Sequence, residues 1–250
     1  MEAALVASVD SDLDEENRAV GASTPEELIA WAADRYGEKL IASTSFGATS
    51  AVMLHLLHRV APRTPIICVD TGYLFSETYQ FAEALINRLE LDVRFYSALM
   101  SPARQEALYG RLWEQGEEGV NRYLQINKVE PMQRAIRELG AEAWMAGLRA
   151  EQTEHRAGLR RVERQNGSIK LHPVLHWTGE EMTAYMARHD LPYHPMFEQG
   201  YRSIGDHHST IPTTADMNPR DGRILGKTRE CGLHLPLTEE QNQSLKSSGL

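Results

Sequence analysis

Two cysteines, Cys68 and Cys231, are all the thiol that 250 residues contain. That scarcity argues against a disulfide framework, and it falls short of the four thiolates that usually hold an iron–sulfur cluster. No apolar run approaches the length of a membrane span, and the opening MEAALVASVDSDLDEENR carries acids where a signal or transit peptide carries Arg or Lys. A cytoplasmic location without a membrane partner is therefore expected. Basic charge is also short. With 26 Lys and Arg against 35 Asp and Glu, the formal charge of -9 provides no basic field for nucleic acid. An anionic substrate would have to be met by cations gathered locally.

What is present reads as one α/β enzyme, since 42% hydrophobic residues can bury a substantial core. Residues 1–22 are small and acidic and predict a mobile arm, 23–200 a nucleotide-binding α/β domain, and 201–250 a C-terminal segment and tail. Thr24-Pro25-Glu26-Glu27 combines a capping hydroxyl, Pro at the first helical position and a reciprocal Glu. It predicts a helix to about Tyr36, stopped by Gly37. Apolar runs at Leu40–Ala42, Pro65–Asp70 and Val93–Tyr96 alternate with helical stretches through Val52–Leu57 and Phe75–Leu89. Ala143–Gly147 reads as a further strand and Ile169–Val174 as another segment, while Thr178-Gly179-Glu180-Glu181 caps a helix ending near His189. Continuous apolar strands alternating with helices predict a doubly wound, mostly parallel sheet. Past Leu191 the chain is rich in Pro, Gly and His and too long for a linker, so it is expected to lie over the active site.

Ligands of such sheets bind beyond the C-terminal strand ends. After the first strand, Ser43-Thr44-Ser45-Phe46-Gly47-Ala48-Thr49-Ser50 offers hydroxyls, a glycine and a helix start to a phosphate or sulfate. The Gly-Lys pair of a Walker loop is missing, which argues against ATP hydrolysis. Asp70-Thr71-Gly72 after the second strand suits a base or sugar, or is an ordinary Asp turn. After the fourth, the run from Gly147 through Arg149 and Gln152 to Arg156 is either a solvated charged loop or, through Arg149 and Arg156, a source of bidentate contacts to phosphate oxygens. Cys68 sits in Ile66-Ile67-Cys68-Val69 and reads as inert core filler. Cys231, in Lys227-Thr228-Arg229-Glu230-Cys231-Gly232-Leu233-His234, has cationic neighbours that favour the thiolate.

These pieces together resemble the assimilatory phosphoadenylyl sulfate reductases, from about Leu40 to His234. The tail around Cys231 is similar to the family's catalytic signature, Ser43–Ser50 to its modified pyrophosphate loop, Val69–Tyr73 to its nucleotide-binding turn, and Gly147–Arg156 to its arginine loop. Asn127-Lys128-Val129-Glu130-Pro131 resembles the segment with a substrate-contacting lysine, and Gly200–Asp206 is a further landmark. Arg220 and Arg223 look like the arginines that accompany the nucleophile. Tyr123, Leu124, Asp206 and Ser209 stand where cluster-bearing relatives have cysteines, so the resemblance is to the cluster-free type. Ala150 departs from the arginine frequent at its place.

The resemblance implies the adenine nucleotide alpha-hydrolase kind of fold, a flexible catalytic tail, no bound cofactor or metal, and a homodimer. It also implies reduction of 3′-phosphoadenylyl sulfate through an S-sulfonate on Cys231. His234, Lys128, Arg220 and Arg223 would assist, and thioredoxin, or glutaredoxin in its place, would donate electrons. Three alternatives stand beside it: a cluster-free reductase of adenylyl sulfate, an ATP pyrophosphatase on the same fold, and a non-catalytic nucleotide sensor with Cys231 as a redox switch.

Overall fold

The computed structural model describes residues 13–214, 216–223 and 232–234. Residues 13–20 form helix α1, which corrects the expected mobile arm over that stretch. Leu13 and Val20 are buried in the core. The Asn17 side chain completes the backbone of Val162, donating from Nδ2 to its carbonyl at 2.7 Å and accepting its N–H at 3.1 Å. Two of the acids that gave the segment its solvated look form ion pairs, Asp14 with Arg160 and Glu16 with Arg35. Residues 1–12 lie outside the described residues.

Helix α2 (Pro25–Tyr36) starts as its capping sequence predicts. Glu27 N donates to Thr24 Oγ1 at 3.2 Å, and the Glu27 carboxylate accepts from Thr24 N at 2.7 Å. The chain then builds β1 (Leu40–Thr44), α3 (Ser50–Val60), β2 (Ile66–Asp70), α4 (Ser76–Leu89) and β3 (Val93–Ser97). Helices α5 (Pro102–Tyr109), α6 (Gly116–Leu124) and α7 (Glu130–Glu138) lead to β4 (Ala143–Ala146). The short α8 (Glu154–Ala157), strands β5 (Val162–Gln165) and β6 (Ser168–Leu171), and α9 (Gly179–Arg188) complete the regular part.

The sheet order is β3-β2-β1-β4-β6-β5, parallel except for the β5–β6 pair. That hairpin turns on Asn166 and Gly167, both at positive φ, the turn that Asn-Gly favours. The sequence reading missed β5. Period-two alternation divides the strands between two layers. Leu40, Ala42, Ile66, Cys68, Ala143 and Met145 pack with α2, α3, α4 and α9, whereas Ile41, Ile67, Trp144 and Ala146 pack with Met132 and Ala135 of α7. Truncating a side chain as buried as Ile67 to Ala should cost about 2–5 kcal/mol.

Two features place the site. Between α6 and α7, residues Gln125–Val129 form a π turn in which Glu130 N reaches back to Gln125 O. The wide turn accommodates Pro131, which has no N–H to give to an α-helical partner. The described residues after α9 fold back over the strand ends. Leu74 pairs with Asp206 and Thr210 with Arg223 in single antiparallel bridges. No described helix is long and apolar enough to cross a membrane.

Candidate active site

A cavity of about 410 Å³ opens beyond the C-terminal ends of β1 and β4. Of the residues predicted from the sequence, Ser43, Ser45, Gly47, Thr49, Ser50, Lys128, Gly147, Arg149, Gln152, Arg156, Arg220, Arg223 and His234 line it. Phe46, Asp70, Thr71 and Gly72 are not among its described lining. Cys231 lies outside the described residues.

The wall below the cavity is the β1 loop. Thr44 Oγ1 accepts from Phe46 N at 3.1 Å, tightening the turn, and Phe46 takes a left-handed φ of 46° that sends its ring into the core against Phe95. The turn leads directly into the start of α3, whose dipole suits an anion, while Ser50 N and Val52 N turn back onto Gly47 O at 3.1 Å and Thr49 O at 3.2 Å. The Ser50 hydroxyl is buried there without a hydrogen-bond partner among the described residues. Such a group costs free energy unless a ligand or water completes it. Gly147 lies against Met53 of α3 at the cavity edge, where an added Cβ would stand 3.4 Å from that side chain.

The β2 loop is tied into the protein instead. Asp70 Oδ1 accepts from Gly72 N at 2.8 Å and from Tyr79 Oη at 2.7 Å, and Thr71 Oγ1 donates to Asp206 at 2.6 Å.

The cations come from three segments. After β4, Arg149 pairs with Glu151, and Gln152 Oε1 accepts from both Arg149 N and Arg156 Nη1, so this amide fixes two arginines of the loop. Lys128 projects from the π turn and pairs with Asp206 at 2.7 Å. Burial by itself would raise the Asp206 pKa, but the Lys128 ammonium and the hydrogen bonds from Lys128 and Thr71 pull it down to about 2. From the C-terminal segment, Arg223 Nη1 donates to Ile204 O at 2.7 Å. Its guanidinium lies flat on Gly205, where an added Cβ would come within 2.2 Å of Nη2. Arg220 is buried at the cavity wall, and Arg202 lines it as well.

The described end of the tail docks on this wall. Leu233 packs against the Ile41–Trp144 layer, its carbonyl accepting from Gln165 Nε2 at 3.3 Å. The His234 ring stacks on Trp144 at 5.6 Å. Lys170, fully buried, lies 4.7 Å over the same indole, and Trp144 Nε1 donates to Ser43 Oγ at 2.7 Å. Loss of solvation, then the charges of Lys170, Arg156, His172 and Arg220, hold His234 well below its ordinary pKa, so it is neutral near pH 7. Trp144, Gln165 and Lys170 were not expected at the site, and Arg202 was expected only as part of the Gly200–Asp206 landmark. Trp144 and Lys170 read as strand interior, and the charge of Lys170 in a buried strand was the one signal available. Cys68 is wholly buried, and burial, followed by the nearby Asp70, pushes its thiol up to about 12. Among the described residues no group of three or more His, Cys, Asp or Glu side chains could hold a metal ion.

The geometry is thus a crevice of about 410 Å³ with the start of α3 at one wall and cationic side chains at the other. The family model for the phosphoadenosine phosphosulfate reductase domain matches residues 39–212. The chain belongs to this family. It is 53% identical to the phosphoadenosine 5′-phosphosulfate reductase of Synechocystis sp. over 91% of this chain and 92% of the relative. With the enzyme of that name from Thiocapsa roseopersicina it shares 48% identity over 90% and 94% of the two chains. Among solved structures, the phosphoadenylyl-sulfate reductase of Candida auris, a phosphate complex, superposes with a TM-score of 0.70 at 29% identity, over 80% of this chain and 96% of the other. The FMN adenylyltransferase of Candida glabrata shares the fold, with a TM-score of 0.55 at 14% identity over 94% and 83% of the chains.

Proposed function

We propose that this reductase converts 3′-phosphoadenylyl sulfate and reduced thioredoxin to sulfite, adenosine 3′,5′-bisphosphate and oxidised thioredoxin, in the cytoplasm and as a homodimer. One observation carries the reading. The β1 loop, the arginine loop, Lys128, Arg220 and Arg223 converge on a single cavity, and His234, three residues after Cys231, lines it too.

The adenylyl group lies across the strand ends, and the Asp70–Gly72 loop, outside the cavity lining and with its hydrogen bonds made inside the protein, supports the site without touching the nucleotide. The nucleotide's phosphates meet Ser45, Gly47, Thr49, Ser50 and the start of α3, flanked by Arg149 and Arg156. The sulfonate faces Lys128, Arg220 and Arg223. Sulfuryl transfer builds negative charge on the sulfonate oxygens and on the departing phosphate, so fixed cations lower its barrier. Cys231 Sγ⁻ attacks sulfur, the S–O bond to phosphate breaks with its electron pair, and adenosine 3′,5′-bisphosphate leaves. A thioredoxin thiolate then attacks Cys231 Sγ and expels sulfite with the electron pair of the S–S bond. The second thioredoxin thiol resolves the mixed disulfide and returns Cys231 to the reduced state. The buried, protonated Cys68 supports an external dithiol as the reductant. Neutral His234, stacked on Trp144, seats the tail rather than serving as an acid.

The test is a side-by-side assay of both sulfated nucleotides with thioredoxin, in the native chain and in Cys231→Ser. Thioredoxin-dependent sulfite from the 3′-phosphorylated nucleotide, lost in the variant while nucleotide binding persists, is the expected result. Preference for adenylyl sulfate would transfer the substrate assignment, and nucleotide binding without any sulfite would leave a sensor.

A further inference from the structure

Lys128 reaches the cavity from the π turn, and two separate sets of buried contacts hold it there. Behind the ammonium, Asp206 Oδ2 lies 2.7 Å from Nζ while Asp206 Oδ1 accepts from Thr71 Oγ1 at 2.6 Å. Asp206 is 3% exposed. The backbone on either side of it is pinned to the β2 loop by the Leu74–Asp206 bridge and by His207 N, which donates to Tyr73 O at 2.8 Å. Beneath the turn, the buried amides of Asn127 and Gln105 exchange hydrogen bonds at 2.9 and 3.0 Å. Asn127 Nδ2 also donates to Tyr123 O at 3.2 Å, and Gln105 Nε2 to Met100 O at 2.8 Å.

Stability alone does not call for such a pair. Desolvating two charges costs about as much as their attraction returns, and apolar replacements of buried ion pairs are often neutral or better. A lysine stem has several free torsions, so an ammonium at a cavity wall samples many positions unless something fixes it. An anion clamped from behind, beneath a turn locked from below, leaves Nζ one position.

We propose that Asp206, backed by Thr71, is a positioning residue that holds the Lys128 ammonium at one point on the cavity wall, ready for the charge that grows on the sulfonate. The inference rests on the reading above, in which Lys128 faces the sulfonate. Its signature is a loss in turnover without a loss in binding, because a preorganised cation acts most on the transition state.

The experiment is a double-mutant cycle on the full chain. Asp206→Asn should lower kcat by about tenfold or more, with KM and the affinity for adenosine 3′,5′-bisphosphate within about twofold of the native protein. In a Lys128→Ala background the same change should cost nothing further. A kcat for Asp206→Asn within about twofold of native, or losses that multiply in the double variant, would overturn the proposal. Thr71→Val leaves the ion pair in place and covers the case in which Asp206→Asn does not fold. Its kcat should fall by about threefold at constant KM, and an unchanged kcat is contrary. A third arm needs no turnover: acetylation of Lys128 by acetic anhydride, followed by peptide mass, should run at least about fivefold faster in Asp206→Asn, and about twofold faster in Thr71→Val, than in the native chain. Equal rates would sink the proposed hold. If the native chain releases no sulfite at all, the functional reading falls while this arm still decides whether Asp206 fixes Lys128.

Discussion

The loops after β1 and β2 look alike in sequence, each a short polar run with a glycine at the end of a buried parallel strand, yet they end in different states. After β1, Ser45, Gly47 and Ser50 border the cavity, and one of these hydroxyls is buried without a partner. After β2, Asp70 is bonded to Gly72 and Tyr79, and Thr71 to Asp206. The lesson is that a polar side chain at a strand end has its task set by whether its hydrogen bonds are already complete. An incomplete group can take a ligand, while a complete one can act through its partner, as Thr71 does toward Lys128.

Ways to break this contrast can be ranked by expected size. Arg149→Met, which removes a cation from the cavity side, should lower kcat/KM by about 10²-fold, read from initial rates of sulfite formation. Ser50→Ala should raise KM by about threefold to tenfold with a smaller change in kcat, the reverse of the pattern expected for Thr71→Val. If the two hydroxyl variants give the same pattern, the loops do not differ in the way described. Gly72→Ala acts on stability. The residue sits at φ 73°, and an added Cβ would meet Pro102 Cγ at 2.5 Å. A loss of about 1–3 kcal/mol, and so a lower Tm by several degrees, is expected in thermal unfolding. Gly47, whose added Cβ would meet Ser45 Oγ at an ordinary 3.5 Å, should tolerate Ala with little change in Tm.

A further effect concerns pH. Burial is the largest cause holding His55, His194 and His208 down at about 4, against an ordinary 6.5. The unfolded chain therefore takes up these protons first as pH falls. Stability from the neutral rings is complete above about pH 6.5 and is lost progressively down to about pH 4. Tm should be flat above pH 7 and decline through that window, and His194→Phe should flatten part of the decline.

The parts of the fold that could be read in advance are those whose cause is local. Caps at Thr24 and Thr178, continuous apolar strands and the β1 and β4 loops all depend on neighbours within a few residues. What escaped depends on contacts between distant segments. The helix at 13–20 owes its order to Asn17 meeting the backbone of Val162. Strand β5 was obscured by the arginines before it, although Asn166-Gly167 offered a hairpin signal. In the site, single residues could be nominated by resemblance, but their couplings could not. Nothing near Lys128 names Asp206 as its partner, and Trp144 reads as core until His234 and Lys170 are seen against its ring. Phe46, nominated with the β1 loop, turns inward because of its left-handed backbone.

The account depends most on covalent chemistry at Cys231. Native protein mixed with 3′-phosphoadenylyl sulfate, without thioredoxin, should be quenched and its tryptic peptides weighed. The account predicts the mass of one sulfonate on the peptide containing Cys231, with release of one equivalent of adenosine 3′,5′-bisphosphate and discharge as sulfite once thioredoxin is added. Nucleotide turnover with that peptide unmodified at every time point would contradict it.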